Sequence, residues 1–388
     1  MSSPDYRPAL GNSSKKSRQN QAYYSAANVG LYPTPHSSSL SSTVAHPLIG
    51  PSLSRSNRNL QHHSTRVASG PKMSHAREPK TSASGQSTNS VLMVRPCRFY
   101  PNPETATDNA FQRRADCDIT ALTTAARREF DIAVQALREA GVKVHVFEDT
   151  AEPEKPDAVF PNNWISTHAD GRVALFPMYS ALRRRERRQD IVAELRQAYR
   201  VTDVIDYSNF EEEGSCLEGT GSLVLDHVNR LAYVSLSQRS DSTVVRRFAD
   251  DFGYEPVTFT SIGLDGQPIY HTNVMMCVGT EFALVGLGMI ANQTEREQVR
   301  AHLEASSKDI VELEPHQVAN FAGNAIELHD REGQKLLVLS ARAIPTLTEG
   351  QQKRLTQYAR LVPLNLPTIE MGGGSARCMI ATIHLPPI

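Results

Sequence analysis

One cysteine, Cys378, follows the run Gly372-Gly-Gly-Ser-Ala-Arg377 and heads a short apolar stretch. A thiol at a strand edge, reached through a flexible glycine loop, can meet a small electrophile head-on, which makes Cys378 the leading candidate nucleophile. The alternative for an isolated cysteine is a buried and inert core position. Two further residues bear on that choice: His271, in Tyr270-His-Thr-Asn273, and Glu218, in Leu217-Glu-Gly-Thr-Gly221. An imidazole titrating near neutrality can protonate a departing amine and then activate water. A carboxylate can accept hydrogen bonds from substrate N–H groups and orient that imidazole. Taken singly, these two are equally a satisfied core histidine and a capping glutamate, so the elements that position them decide.

Those elements repeat. From Val91 onward the pattern is two short strands, a helix and one more strand. Residues 164–168 and 172–176 flank the turn Ala169-Asp-Gly171 and read as a hairpin, followed by a charged helix near 182–199 and a strand at Val204-Ile205. The same order recurs at 222–260, 274–313 and 325–364. The first unit is incomplete: a lone strand at 91–94, a long amphipathic helix over about 118–140 and a strand at 142–147. Its missing strand is available at 379–383. Pairing it there closes five ββαβ units into a ring without an unpaired edge, against the alternative of an ordinary α/β sandwich. In such a ring the loops preceding the hairpins converge at one end of a central channel. Those loops are 157–163, 217–221, 270–273, 321–324 and 372–378, so a thiol, an imidazole, a carboxylate and several amides meet.

Composition limits the function classes. The 388 residues carry a net charge of -1 and no apolar run long enough to cross a membrane, so no membrane or nucleic-acid partner is indicated. Cys97, Cys117, Cys216, Cys277 and Cys378 are odd in number and lack CxxC spacing, which favours reduced thiols in the cytoplasm over a disulfide framework or a zinc site. No glycine-rich phosphate loop follows a strand, which disfavours nucleotide binding. Residues 1–90 hold ten Lys and Arg against Asp5 and Glu78 and are rich in Ser, His, Asn and Pro. That composition reads as a disordered basic tail ahead of a catalytic domain at 91–388, with organelle targeting as the alternative. The run Arg183-Arg-Arg-Glu-Arg-Arg188 reads as the start of a solvated helix face.

At these residues the chain resembles the guanidine-modifying, or pentein, superfamily, which includes arginine deiminases, dimethylarginine dimethylaminohydrolases and amidinotransferases. The resemblance is nearest to the citrulline-utilisation hydrolase subgroup. It is carried by Met93-Val-Arg-Pro96, Asn102-Pro-Glu-Thr-Ala106, Asn109-Ala-Phe-Gln112 and the stretches at 156–164, 217–226, 270–274 and 372–379, together covering residues 91–388. It implies a five-bladed α/β propeller, with Cys378 as nucleophile, His271 as general acid/base and Glu218 as the buried carboxylate near the substrate nitrogens. It implies no metal or organic cofactor and a small-molecule substrate, shaped by Asp157, Phe160 and Asn163. The homo-oligomeric state is left open.

One departure from the deiminases bears on the substrate. Where they carry two aspartates that clamp a guanidinium, this chain has Asn163 and Asn273. A guanidinium facing neutral amides loses pairing when desolvated, whereas a neutral ureido group offers a carbonyl and N–H groups that asparagine complements. Hydrolysis of L-citrulline to L-ornithine, ammonia and carbon dioxide is therefore expected. The alternatives are an arginine deiminase, an arginine dihydrolase or an amidinotransferase on the same fold, and, in another class, a non-catalytic binding module. The amino acid carboxylate calls for an arginine fork, for which Arg95, Arg172 and Arg377 are the candidates.

Overall fold

The structure, a computed structural model, describes residues 85–113 and 118–388. Of the tail expected to be disordered over residues 1–90, residues 1–84 lie, with Cys117, outside the described residues, and so does most of its targeting alternative; residues 85–90 are described, with Gln86, Ser87, Thr88 and Ser90 buried and Ser90 opening the first strand.

The described chain forms five three-stranded sheets. Each is an antiparallel hairpin whose second strand pairs in parallel with a strand returning from a helix. The sheets comprise β3 Ile165–Thr167, β4 Arg172–Leu175 and β5 Asp203–Asp206; β6 Val224–Asp226, β7 Leu231–Ser235 and β8 Glu255–Phe259; β9 Met276–Val278, β10 Phe282–Val285 and β11 Asp309–Glu312; and β12 Ile326–His329, β13 Lys335–Ser340 and β14 Arg360–Leu364. The remaining blade is composite. β1 Ser90–Arg95 pairs in parallel with β2 Lys143–Glu148, and antiparallel with β15 Ala381–Thr382 in the register Val91↔Thr382 and Leu92↔Ala381. The C-terminal strand thus closes the ring, as the incomplete first repeat predicts.

The helices follow from apolar spacing and caps. Ile119–Glu139 buries Leu122, Ala126, Phe130, Ala133, Val134 and Leu137 along one stripe and is capped by Asp118, whose side chain accepts from the Ala121 N–H. Ser242–Phe252 starts at Asp241, which accepts from Thr243 and Val244, and stops at Gly253 in the left-handed region. Fully burying a side chain such as Phe130 or Phe248 contributes about 2 kcal/mol.

One expected helix is divided. The segment near 182–199 forms Ala181–Arg184 and Gln189–Ala198, with Arg188 extended between them. Arg183 does not join a solvated face; its side chain turns inward and is 3% exposed. Buried ion pairs outweigh the continuity of one helix there.

Candidate active site

The inner strands β15, β3, β6, β9 and β12 are each preceded by a short helical turn or tight loop. Pro161–Asn163, Gly219–Ser222, Thr272–Val274 and Ile369–Gly372 are such turns. They deliver side chains to one mouth of the channel, where Asp157, Phe160, Asn163, His271 and Cys378 line a common, tightly closed cavity of about 10 Å³. Glu218 lies directly behind, fully buried.

His271 Nε2 lies 2.8 Å from Glu218 Oε2. An ionised carboxylate only accepts, so Nε2 carries the proton and the Nδ1 lone pair is left as a base. Burial opposes ionisation of Glu218, yet Arg239, the hydrogen bond from His271 and Arg183 together hold it well below the usual carboxylate range. His271 is pushed down to about 4, chiefly by burial, with Arg239 and Arg183 adding to the effect and Glu218 opposing it. At neutral pH the pair is therefore a neutral imidazole on a carboxylate. The two guanidinia already balance that carboxylate, so at rest it does not keep a second proton on the ring against the effect of burial.

The thiol is flanked by amides. Cys378 Sγ lies 3.2 Å from Asn324 Nδ2 and 3.5 Å from Asn273 Nδ2, two amide donors, and 3.8 Å from Asn273 Oδ1, which accepts from the thiol. Asn273, expected to contact substrate, thus stands at the thiol itself. Asn324 was legible only as part of a converging loop. The glycines permit this packing: a Cβ on Gly374 would sit 2.8 Å from the Phe160 ring and 3.0 Å from Cys378 Cβ. Likewise, a Cβ on Gly221 would lie 2.2 Å from Asn163 Nδ2 and 2.8 Å from His271 Nδ1.

Arg95, Arg172 and Arg377, the arginines expected to hold a carboxylate, do not line this cavity. Arg95 pairs with Asp131 at 2.6 Å and with Glu148 at 3.5 Å on the outer side of its blade, away from the cavity. Arg172 pairs with Asp170 at 2.6 Å. The Arg377 side chain turns from Cys378 into a second cavity between the inner strands and donates to the Ile380 carbonyl at 2.7 Å. The guanidinia at the site are Arg183 and Arg239. Arg183 binds Glu186 through Nε at 2.9 Å and Nη2 at 3.0 Å, donates from Nη2 to Asn163 Oδ1 at 3.0 Å, and reaches Glu218 at 3.4 Å. Arg239 lies 3.6 Å from Glu218, is held by Asp108, and has its guanidinium 4.7 Å from the Tyr270 ring centroid. An i,i+3 partner at Glu186 was the only local signal for Arg183. A lone cation in the uncharged turn 235–240 was the only one for Arg239.

Two polar atoms at the cavity are buried without a partner: Asn163 Nδ2 and Asp157 Oδ1. The other oxygen of Asp157 accepts from Asn102 Nδ2 at 2.9 Å. Burial pushes the Asp157 carboxyl above its ordinary range despite Arg183. Among the described residues no group of three or more His, Cys, Asp or Glu side chains is arranged to hold a metal ion.

A closed ring of five ββαβ blades, with thiol, imidazole and carboxylate at one mouth, defines the pentein superfamily of guanidino-group enzymes. A family model for eukaryotic N,N dimethylarginine dimethylhydrolases matches residues 95–385, and the chain belongs to that family. It is similar in fold to the N-terminal domain of ArgZ, an arginine dihydrolase from the ornithine–ammonia cycle in cyanobacteria, solved with substrate bound. That match has 16% identity, covers 76% of this chain and 98% of that one, and has a TM-score of 0.60. It is similar also to AgrE in complex with ornithine and NAD+ (15% identity, 76% of this chain and 39% of that one, TM-score 0.60). A dimethylarginine dimethylaminohydrolase carrying an adduct with S-methyl-L-thiocitrulline matches at 14% identity, over 76% of this chain and 98% of that one, with a TM-score of 0.52. At these identities the likeness speaks to the fold alone. No curated protein matches the chain in sequence.

Proposed function

We propose that the chain hydrolyses L-citrulline to L-ornithine, ammonia and carbon dioxide through a carbamoyl-thioester on Cys378. The observation that carries this reading is the unspent donor at Asn163. Its Oδ1 accepts from Arg183, which can only donate, so the amide orientation is fixed and Nδ2 is the atom left without a partner. A ureido carbonyl satisfies that donor. An arginine guanidinium has no acceptor and would leave it buried and unpaired, a cost of about 1–3 kcal/mol. Glu218 has little left to offer a guanidinium, because its oxygens already accept from the Tyr179 N–H at 3.0 Å, His271 and Arg183.

The remaining groups suit an amino acid head. Asp157 Oδ1 accepts from the α-ammonium, and the Arg239 fork holds the α-carboxylate. His271 Nδ1 takes the thiol proton as Cys378 Sγ bonds to the ureido carbon. The tetrahedral adduct breaks its bond to the side-chain nitrogen, and the imidazolium, stabilised by Glu218, gives its proton to the departing amine of ornithine. Neutral His271 then deprotonates a water that attacks the carbamoyl carbon. The released thiolate takes the proton back, and carbamic acid divides into ammonia and carbon dioxide.

A second reading is arginine dihydrolysis, the activity of ArgZ on the same fold, which shares the citrulline half of the reaction. Separate incubations with citrulline, arginine and N,N-dimethylarginine test both. Ornithine and ammonia from citrulline, at a rate about tenfold or more above the other two, is the expected result. Turnover of arginine with citrulline inert would overturn it.

A further inference from the structure

We propose that Asp108 is a latch: its carboxylate occupies the seat of the substrate's carboxylate and holds the pocket shut until a ligand replaces it. This rests on the reading that the Arg239 fork receives the amino acid carboxylate. Both Asp108 oxygens bind that fork, Oδ2 to Nε at 2.8 Å and Oδ1 to Nη2 at 2.7 Å, the bidentate geometry by which arginine recognises any carboxylate. The two partners are unequally placed. The Arg239 side chain is 2% exposed and that of Asp108 16%, so the acid can move to water while the cation cannot.

Asp108 belongs to a segment laid across the site. Within residues 102–113, Thr105 and Asn109 line the cavity, and the Asn109 amide packs against Gly373, which adopts a φ of +90°. The Arg113 N–H donates to the Met371 carbonyl at 3.0 Å. Phe111 packs edge-on against Tyr270, with centroids 6.1 Å apart. Under this cover Cys378 and His271 are each 2% exposed, so a substrate reaches the thiol only when the segment lifts. Lifting removes the Asp108 partner from a buried guanidinium, and an incoming carboxylate supplies the replacement. Asp108 is not needed for the ammonium, because Asp157 Oδ1 already offers an unspent buried acceptor.

The test compares the native protein with Asp108→Asn and Asp108→Ala in three measurements: alkylation of Cys378 by iodoacetamide without ligand, binding of acetate read by saturation transfer to its methyl signal, and binding of ornithine by calorimetry. A latch predicts alkylation faster by about tenfold, acetate bound by the Ala variant and not by the native protein, and ornithine tighter by about tenfold. Unchanged alkylation and acetate binding overturn the latch whatever the substrate is. Weaker ornithine binding in the variants also overturns it, since Asp108 would then be a permanent partner of the amino acid. Faster alkylation and acetate binding, with neither ornithine nor citrulline bound by any form, would sink the citrulline reading and leave the latch standing.

Discussion

Two polar cavities open on the ring, and the larger is not the candidate site. The one between the inner strands, about 50 Å³, is lined by Cys277, His227, His384, Glu327 and Arg377. The one at the mouth, about 10 Å³, is lined by Cys378, His271, Asp157, Arg183 and Arg239. Thiol and imidazole occur in both. Burial, aided by Glu327, pushes Cys277 up to about 12, so it stays a protonated thiol at neutral pH. Burial also pushes His384 down to about 4, with Arg377 adding to the effect. His271 has a similar value but is bonded to an ionised carboxylate that can stabilise a transient imidazolium. A cavity becomes chemically useful when proton acceptor, charge partner and unspent hydrogen-bonding atoms coincide, and only the mouth combines them.

The largest effect expected from this contrast lies in the cysteines. Cys378→Ala should lower kcat with citrulline by about 10⁴-fold or more, while Cys277→Ala stays within about threefold, as steady-state kinetics would show. Comparable losses in both would erase the distinction. Next comes Glu218→Gln, which removes the charge under His271 and uncovers two buried guanidinia. A fall in kcat of about 10²–10³-fold and in unfolding free energy of about 3 kcal/mol is expected, the latter read from the urea midpoint. A variant of native stability would mean that Arg183 and Arg239 do not depend on this carboxylate.

Asn163→Asp should cost about 10- to 100-fold in kcat/KM for citrulline while improving arginine, because a carboxylate there accepts from a guanidinium and cannot donate to a ureido oxygen. A parallel loss for both substrates would assign Asn163 a role in packing alone. The smallest effect concerns pH, where the two cavities act together. Both His271 and His384 titrate near 4 in the fold and near the ordinary 6.5 when unfolded. Between these values the unfolded chain binds more protons at these two sites, so their contribution to stability is complete above about pH 6.5 and declines as pH falls toward 4. Denaturant midpoints at pH 7.5 and 5 measure it, and a higher midpoint at pH 5 would contradict the assignment.

Much of the fold was legible because each blade repeats one local pattern of hairpin, amphipathic helix and returning strand, and because the first repeat lacked a strand that the C-terminus could supply. The mouth was legible for the same reason: equivalent loops in a ring converge. What stayed hidden depended on distant partners. Arg183 sits in a run of like charges that reads as solvated, and its burial is set by Glu218, 35 residues away, together with Asp157 and Asn163. Arg239 depends on Asp108, 131 residues away. Asn273 has the composition of a substrate ligand, yet its position beside Cys378 follows from how two blades meet, which no local pattern encodes.

The most direct test of the central claim is mass spectrometry of the enzyme quenched during turnover of citrulline. A carbamoyl adduct on Cys378, with ornithine released in the same incubation, is the predicted result. An amidino adduct formed from arginine, with Cys378 unmodified by citrulline, would contradict it.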